Sequence, residues 1–279
     1  MTDKIKAILQ DSECEIFGFC RFDDLLPLLE VRCKQRVPKD AKSVITVLFP
    51  YFTALPEKRN LSLYCIGKDY HTTILNKLKS IAAKLTAEFP QNAFEPFCDI
   101  SPINEVKAAY LSGLGLLGRN NLLINQKYGS YVFIGEIITD LEIKEVGTPL
   151  GFCITCGKCI IGCPSSALKF AGSDKTFSLD TTACLSALTQ KKGELTSDER
   201  TLIREGGLVW GCDECSLSCP LNKSAAPTPI REFFQSQMPV LTRENIDECE
   251  ERAYGYKGKA ILLRNLGIIE EKQGNNKTK

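Results

Sequence analysis

The feature that most constrains this chain is a run of four cysteines that ends in proline. Two residues separate each of the first three cysteines and three residues precede the fourth, in the order Cys153, Cys156, Cys159, Cys163, Pro164. In bacterial ferredoxins this spacing lets three thiolates bind one [4Fe–4S] cluster while the fourth turns towards a second cluster. The run therefore predicts an iron–sulfur protein with two clusters.

A second, shorter run and one separate cysteine complete a set of eight. The run is Cys212, Cys215, Cys219, again followed by proline, and Cys184 lies between the two runs. Crossed ligation predicts one cluster on Cys153, Cys156, Cys159 and Cys219 and the other on Cys163, Cys184, Cys212 and Cys215. Two structural zinc sites are the alternative, because C-x-x-C pairs also bind zinc. Zinc requires neither the third cysteine of the first run nor a Cys-Pro ending.

The rest of the composition indicates a globular protein in a reducing compartment. No stretch approaches the roughly 18 apolar residues of a membrane span, and the N-terminus lacks the apolar segment of a signal peptide. Thirty-five Lys and Arg against 34 Asp and Glu leave a net charge of +1, so no overall field attracts nucleic acid. We expect a cytoplasmic protein, with six further cysteines packed as small apolar residues: Cys14, Cys20, Cys33, Cys65, Cys98 and Cys249.

The first half of the chain alternates strand-like and helix-like segments. Three segments have the β-branched and aromatic composition of buried strands, namely CEIFGFC from Cys14, SVITVLFPY from Ser43 and YVFIGEIITD from Tyr131. The segment from Ile74 repeats apolar residues every three or four positions, as an amphipathic helix does. This alternation predicts an α+β protein whose first domain, of α/β type, covers residues 1–146.

Two further regions are expected after this domain. The cluster domain covers 147–226 and contains a hairpin, LKF and TFSL, that turns at Gly172-Ser173-Asp174. The C-terminal segment covers 227–279, with a helical pattern from Ile230 and a frayed polar tail at Asn275–Lys279.

Two features of the first domain could indicate other chemistry, and the rest of the sequence argues against both. Gly113, Gly115 and Gly118 match the dinucleotide-binding fingerprint, with Glu136 near the distance of a ribose-binding acid. That mechanism needs a strand before the glycines and a helix after them, whereas the segment before Gly113 has a helical pattern. A helix C-cap and a tight turn are therefore predicted. His71 is the single histidine, which argues against a His-rich metal site or a catalytic triad that needs a second histidine.

Several segments together resemble the epoxyqueuosine reductase family. They follow one another in that family's order and span roughly residues 1 to 268: Tyr64-Cys-Ile-Gly-Lys-Asp-Tyr-His71, Cys98-Asp99-Ile-Ser-Pro-Ile-Asn-Glu105, Gly113-Leu-Gly-Leu-Leu-Gly-Arg-Asn-Asn121, Gly129-Ser-Tyr-Val-Phe-Ile-Gly-Glu136, Trp210-Gly-Cys-Asp-Glu-Cys215 and Leu263-Arg-Asn265. The family is similar in its cofactors to the reductive dehalogenases. The resemblance implies base-off cobalamin on a nitroreductase-like N-terminal domain, beside two [4Fe–4S] clusters in a ferredoxin-like domain.

The resemblance also implies an activity and a set of site residues. The activity is reduction of epoxyqueuosine to queuosine in tRNA, with two electrons from a low-potential donor and loss of water, in a protein expected to be monomeric and away from membranes. Asp99 matches the family's proton-donating aspartate. Cobalamin or substrate contacts are implied for Tyr70, His71, Gly118, Arg119, Asn120 and Ser186.

Alternatives remain at three points. A related reductase of a small molecule, or an electron carrier that feeds a partner enzyme, would also use two clusters. Asp99 could cap a helix that opens at Ser101 and Pro102, a role compatible with proton donation. The family's fuller members continue into helical repeats that help to hold tRNA, and this chain resembles a short form. Its C-terminal basic residues are expected to contact phosphate or to form a solvated helix face: Lys257, Lys259, Arg264 and Lys272.

Overall fold

The computed structural model describes residues 1–171 and 176–275. These residues form two compact units, each assembled from separate stretches of chain. The first unit comprises Met1–Tyr51, His71–Ile154 and Ser224–Ile230, and the second comprises Phe52–Tyr70, Thr155–Lys223 and Arg231–Lys279. The division into 1–146, 147–226 and 227–279 stays a prediction of domain organisation. Because each unit is assembled from three stretches of sequence, the chain passes from one unit to the other more than once.

The first unit is built on an antiparallel four-stranded sheet. After α1 (Thr2–Asp11), the chain forms β1 (Ile16–Arg21), β2 (Ser43–Pro50), β3 (Phe94–Cys98) and, later, β6 (Val132–Thr139), in the spatial order β1-β2-β6-β3. The strands predicted from Cys14, Ser43 and Tyr131 are thereby confirmed. All eight residues of β2 are buried, so both faces of the central sheet are covered.

Helices cover the two faces of this sheet. The first is α2 (Tyr70–Glu88), which confirms the helix predicted from Ile74 and buries Ile74, Leu78, Ile81 and Leu85 on one stripe. Leu78 lies so close to the sheet that a Cβ on Gly135 would approach its Cδ1 to 2.7 Å. On the opposite face lies α3 (Glu105–Leu111), whose Ala108 and Ala109 pack against β6 residues that alternate with Gly135, namely Ile138 and Ile134.

The glycine-rich segment after α3 forms a turn and a small hairpin. Gly113 follows the helix with φ +73°, and the chain then forms β4 (Leu116–Leu117) and β5 (Leu123–Ile124), paired antiparallel. Because a helix precedes the glycines and a hairpin follows them, the strand–turn–helix context of a dinucleotide site is absent from this described segment. The predicted helix cap and tight turn are confirmed.

The second unit combines short helices with one hairpin. Its elements are α4 (Lys158–Ile161), β7 (Leu168–Ala171), β8 (Thr176–Leu179), α5 (Leu185–Gln190), α6 (Ser197–Gly206), α7 (Glu214–Leu217), α8 (Arg231–Phe234) and α9 (Lys259–Asn275). The antiparallel pair β7–β8 confirms the predicted hairpin. Its predicted turn at Gly172-Ser173-Asp174 lies outside the described residues, as does the tail beyond Asn275.

The core of this unit forms where α5, α6 and α9 meet. Leu185, Ile203 and Ile268, one from each helix, are almost fully buried together. A capping box at Thr196 and Glu199 starts α6, which satisfies two backbone donors that a helix N-terminus otherwise leaves unpaired.

The helical pattern predicted from Ile230 is only partly correct. After the single turn α8, the chain continues through irregular structure and short 3-10 turns, and the long helix α9 begins only at Lys259. Gly258, with φ +86°, interrupts helical geometry directly before α9. No helix among residues 1–171 and 176–275 is both long and apolar enough to cross a membrane.

Candidate active site and cluster region

Asp99 stands at the end of β3, in a backbone conformation that few residue types adopt. Its φ is +64°, in the left-handed region where Asp and Asn are enriched among non-glycine residues. Its side chain is 43% exposed, and its Oδ2 lies 3.4 Å from Nε2 of His71. The turn therefore presents the carboxyl group outward beside the chain's single histidine.

The helix-capping role considered for Asp99 is wrong. The helix α3 begins at Glu105, and Asn104 caps it by accepting a hydrogen bond from the backbone N–H of Lys107 at 2.9 Å. The left-handed turn at Asp99 ends β3 five residues before this cap, so Asp99 is not the N-cap residue of α3.

His71 joins Asp99 from the first turn of α2. Its side chain is half-buried, and if protonated it would form an ion pair with the Asp99 carboxylate. Two segments that are distant in the sequence thus supply one acid and one base to the same place. A contact between His71 and a cofactor stays a prediction.

Two glutamates that sequence reasoning did not select lie behind Asp99. Burial, with the charge of the neighbouring Asp99 as a smaller second cause, raises the pKa of Glu105 to about 7. Burial also raises the pKa of Glu136 well above its usual range, with the Glu105 charge as a second cause. Glu136 is fully buried, which excludes the ribose-binding role already rejected on context. In the sequence, the one sign that Glu136 would be buried was its position inside a mostly apolar predicted strand.

The predicted contact residues Gly118, Arg119 and Asn120 form the turn between β4 and β5. Gly118 donates its N–H to the carbonyl of Leu122 at 2.8 Å, and a Cβ at Gly118 would come within 2.4 Å of Asn120 Oδ1. The guanidinium group of Arg119 lies over the ring of Phe152, 5.3 Å from its centroid. The turn is well defined, and its role towards a cofactor stays a prediction.

The remaining predicted contacts belong to the second unit. Tyr70, which is buried, packs its ring edge-on against Tyr64 with centroids 6.2 Å apart. Ser186 is half-buried in the first turn of α5, and its carbonyl accepts a hydrogen bond from the Thr189 hydroxyl at 2.8 Å. The structure thus places the six predicted contact residues on both units.

The cysteine runs of the second unit lie in tight turns and single helical turns. Cys159 lies within α4, which follows Gly157 with φ +73°, and Cys215 lies within α7. A Cβ on Gly162 would come within 2.2 Å of Ser218 Oγ, so only glycine allows α4 and α7 to pack this closely. Cys184 precedes α5 as its N-cap residue.

The donor chemistry of these residues fits iron–sulfur clusters. All fourteen cysteines lie among the described residues, and no disulfide joins any two of them. Among residues 1–171 and 176–275, no three His, Cys, Asp or Glu side chains surround a single metal-ion position. Because each thiolate of a [4Fe–4S] cluster binds a different iron atom, four cluster ligands need not converge in this way. The assignment of individual cysteines stays a prediction.

A buried carboxylate ties the second cysteine run to the segment Phe52–Tyr70. Asp213 is 4% exposed, and it accepts hydrogen bonds from the Ser62 hydroxyl at 2.6 Å, from Arg59 Nη1 at 2.7 Å and from the Leu63 N–H at 3.0 Å. Burial raises its pKa, while Ser62 and Arg59 oppose this effect. Asp213 therefore fixes the loop between Cys212 and Cys215 at one position.

We expect Asp213→Ala to lower the free energy of unfolding by about 3 kcal/mol, because it leaves the charge of Arg59 without its partner. Chemical denaturation under anaerobic conditions measures the loss. Asp247→Ala is the matched control, since its carboxylate is 85% exposed beside Lys259 and such surface pairs contribute about 1 kcal/mol or less. Equal losses in the two variants would contradict the anchoring role.

Two of the C-terminal basic residues have structural partners. Arg264 Nη1 donates to the carbonyls of Lys191 and Gly193, both at 2.8 Å, and Lys259 pairs with Asp247 at 2.7 Å. Asn265, fully buried beside Arg264, donates to the carbonyls of Thr189 and Val209. For Arg264 the expectation of a simple solvated face is therefore wrong, because its guanidinium group caps backbone carbonyls.

Comparison with known proteins first defines the class. A family model described as a 4Fe–4S double cluster binding domain matches residues 152–222, a range that contains all eight predicted ligands. The protein is therefore an iron–sulfur protein of the two-cluster class, and the alternative of structural zinc sites is wrong. A second model, described as Epoxyqueuosine reductase QueG, DUF1730, matches residues 32–100.

The relatives then define the family. An epoxyqueuosine reductase from Leadbetterella byssophila is 31% identical over 244 residues, which cover 83% of this chain and 78% of the relative. The Pseudomonas aeruginosa enzyme is 37% identical over 182 residues, 64% of this chain and 48% of the relative. The solved epoxyqueuosine reductase from Streptococcus thermophilus has a TM-score of 0.78 at 25% identity, over 96% of this chain and 80% of that one.

The chain belongs to the epoxyqueuosine reductase family. The match spans about half the length of the Pseudomonas relative and about three quarters of the Leadbetterella relative.

Proposed function

We propose that this protein reduces epoxyqueuosine to queuosine in tRNA and releases the epoxide oxygen as water. The observation that carries the proposal is the placement of Asp99, a half-exposed acid at the end of β3, beside His71 in a chain that also has a two-cluster region. An electron carrier would need the clusters but no acid held in this way. The cytoplasmic location and monomeric state expected from the sequence belong to the same proposal.

The reaction needs an acid at the departing oxygen. Conversion of an epoxide to an alkene takes up two electrons and two protons, and the oxygen gains negative charge as its carbon bonds break. A carboxyl group placed at that oxygen can supply a proton as the charge develops. Asp99 is proposed to have this role, and its left-handed turn aims the carboxyl group away from the sheet.

His71 is proposed to hold Asp99 in position. Its Nε2 lies near Asp99 Oδ2, and a ring nitrogen at this distance restricts the rotation of the carboxyl group. Protonation of His71 would favour the ionised form of Asp99, whereas neutral His71 leaves the acid form easier to reach.

Cobalamin is the proposed cofactor for attack on the epoxide carbon. When bound, it supplies a cobalt centre that accepts electrons singly and donates them as a pair. The guanidinium group of Arg119 and the amide of Asn120, both in the first unit, are hydrogen-bonding groups suited to its amide-bearing periphery. The single histidine is directed at Asp99 through Nε2, which supports a base-off form without a histidine ligand to cobalt.

The proposed partners are tRNA and a low-potential electron donor. The two clusters, when bound by the eight predicted cysteine ligands, would accept electrons from the donor and supply them one at a time. Phosphate contacts are proposed for Lys257 rather than for Arg264 or Lys259, because the latter two are already engaged within the second unit.

The test is an anaerobic assay of the cluster-reconstituted chain with cobalamin and a chemical reductant. Epoxyqueuosine-containing tRNA and the free epoxyqueuosine nucleoside are offered separately, and the product is identified by mass spectrometry of the nucleosides. We expect conversion of the tRNA substrate to queuosine and dependence on added cobalamin. Conversion of the free nucleoside alone would contradict the tRNA assignment, and the absence of conversion of either substrate would contradict the proposed function.

A further inference from the structure

One buried hydroxyl group connects the two segments that carry Cys184 and Cys212. Thr189 lies on α5 and is fully buried. Its hydroxyl donates to the carbonyl of Ser186 at 2.8 Å and accepts a hydrogen bond from the N–H of Gly211 at 2.9 Å. The first bond holds the side chain against its own helix, as threonine hydroxyls in helices can do. The second bond reaches the residue directly before Cys212, so one oxygen atom joins the two segments.

A side-chain amide from α9 forms a second bridge between the same segments. Asn265 is fully buried, and its Nδ2 donates to the carbonyl of Thr189 at 2.7 Å and to the carbonyl of Val209 at 2.8 Å. Both N–H groups of the amide are thereby used. Two neighbouring bridges restrict the sliding and rotation of one segment against the other more than a single bridge would.

The loop that carries Cys212 is also fixed from the segment Phe52–Tyr70. The carbonyl of Trp210 accepts a hydrogen bond from the N–H of Ser62 at 2.9 Å, and the Ser62 hydroxyl donates to Asp213 at 2.6 Å. Ser62 therefore holds a backbone group before Cys212 and a side chain after it. The Cys212 loop is rigid on its own account, and Thr189 is the residue that joins it to α5.

We propose that Thr189 is a positioning residue for one of the two iron–sulfur clusters. That cluster, here called the Cys184 cluster, has four predicted ligands, all in the second unit: Cys163, Cys184, Cys212 and Cys215. The carbonyl of Cys184 accepts a hydrogen bond from the N–H of Leu188 at 2.9 Å, so Cys184 moves with α5. The Thr189 hydroxyl then keeps Cys184 and the Cys212 loop in one arrangement in every redox state.

The inference rests on the crossed assignment of the cysteines and does not depend on the substrate. The hydrogen bonds of Thr189 join the segments of two ligands of the same predicted cluster. The other cluster takes three of its four predicted ligands from the first cysteine run. Loss of the Thr189 hydroxyl should therefore act on the Cys184 cluster alone, whereas a merely structural role would weaken both clusters together.

Thr189→Val tests the proposal, because valine nearly keeps the shape of threonine and removes the hydroxyl. Residues that orient metal ligands typically contribute tenfold or more to metal affinity. In the cluster-reconstituted full chain under anaerobic conditions, about four of roughly eight iron atoms should pass to an iron chelator about tenfold faster than in the wild type. The remaining iron should leave at the wild-type rate. Electron paramagnetic resonance of the reduced protein should show a changed signal for one cluster only.

Two further variants separate the hydroxyl from the substitution itself. Thr189→Ser keeps the hydroxyl and should restore wild-type release of iron. Thr201→Val removes a hydroxyl that also bonds within its helix, to the carbonyl of Ser197 at 2.9 Å, at an exposed position of α6, and should release iron as the wild type does. Wild-type release in Thr189→Val, equal acceleration for all the iron, or failure of serine to restore the rate would each overturn the inference.

Amide hydrogen exchange of the wild type decides the inference if Thr189→Val fails to fold. The Gly211 amide should exchange far more slowly than an unprotected amide, because its acceptor is buried. Exchange at the unprotected rate would overturn the inference. Failure of the wild type to reduce epoxyqueuosine would contradict the proposed function alone, since no turnover is measured here. Retention of all the iron by Cys184→Ala would instead overturn this inference and leave the proposed function intact.

Discussion

Asp99→Asn is expected to reduce the turnover of epoxyqueuosine tRNA at least about a hundredfold, because general acid catalysis typically contributes a factor of this size or more. Asparagine keeps the volume and the preference for a left-handed turn at φ +64°, so the fold and the cofactor content should remain. The loss should appear in kcat rather than in KM. Anaerobic steady-state assays at several tRNA concentrations measure the two parameters separately.

The control for this variant is Asp40→Asn. Asp40 is exposed in the same unit, and its substitution should leave turnover within about twofold of wild type. Iron content and cobalamin binding should be equal in the wild type, Asp99→Asn and Asp40→Asn. A turnover of Asp99→Asn close to that of Asp40→Asn would exclude Asp99 as the acid, even if the chain proves to be an epoxyqueuosine reductase.

The sheet could be predicted from the sequence because each strand carries its own signal. The segment from Ser43 is apolar and β-branched throughout, and the structure buries all eight residues of β2. The helix from Ile74 was equally clear, since its buried positions repeat at three- and four-residue intervals. Both signals are local, so no knowledge of the neighbouring elements was needed.

The candidate site was predictable only where a motif or a family resemblance marked it. Asp99 was identified through the resemblance, and its proximity to His71 depends on how α2 and β3 pack. Glu105 and Glu136 were missed because burial of a glutamate is decided by the tertiary structure, and a glutamate is rarely found fully buried. The sequence marked Glu136 only as an acid near the distance of a ribose-binding residue, and its apolar neighbours were the one sign of its burial.

The structure also explains why the cysteine spacing could not describe the whole cluster region. Asp213 lies inside the second run, yet its partners Arg59, Ser62 and Leu63 come from a segment about 150 residues earlier. A ligand loop that must keep the same shape in every redox state benefits from such a fixed anchor, since the environment of a cluster tunes its potential. The spacing of the cysteines predicts the cluster ligands, whereas the residues that anchor the ligand loop, such as the partners of Asp213, can be identified only from the folded structure.

Cys184 is the predicted ligand that neither compact run contains, and its loss is expected to remove one cluster. Cys184→Ala should lower the iron content from about eight to about four atoms per chain and abolish turnover, because electrons could no longer pass through both clusters. As the N-cap residue of α5 its side chain makes no capping hydrogen bond, so alanine should leave that helix intact. Iron analysis and electron paramagnetic resonance of the reduced protein measure the change.

Cys33→Ala separates the loss of a ligand from the loss of a cysteine. Cys33 is half-buried in the first unit and donates a weak hydrogen bond to the carbonyl of Ile100, so its replacement should retain about eight iron atoms. If Cys184→Ala retained the same iron content and the same resonance spectrum as Cys33→Ala, a different residue would have to complete the second cluster. The crossed assignment of Cys163, Cys184, Cys212 and Cys215 would then be wrong, although the number of clusters would stand.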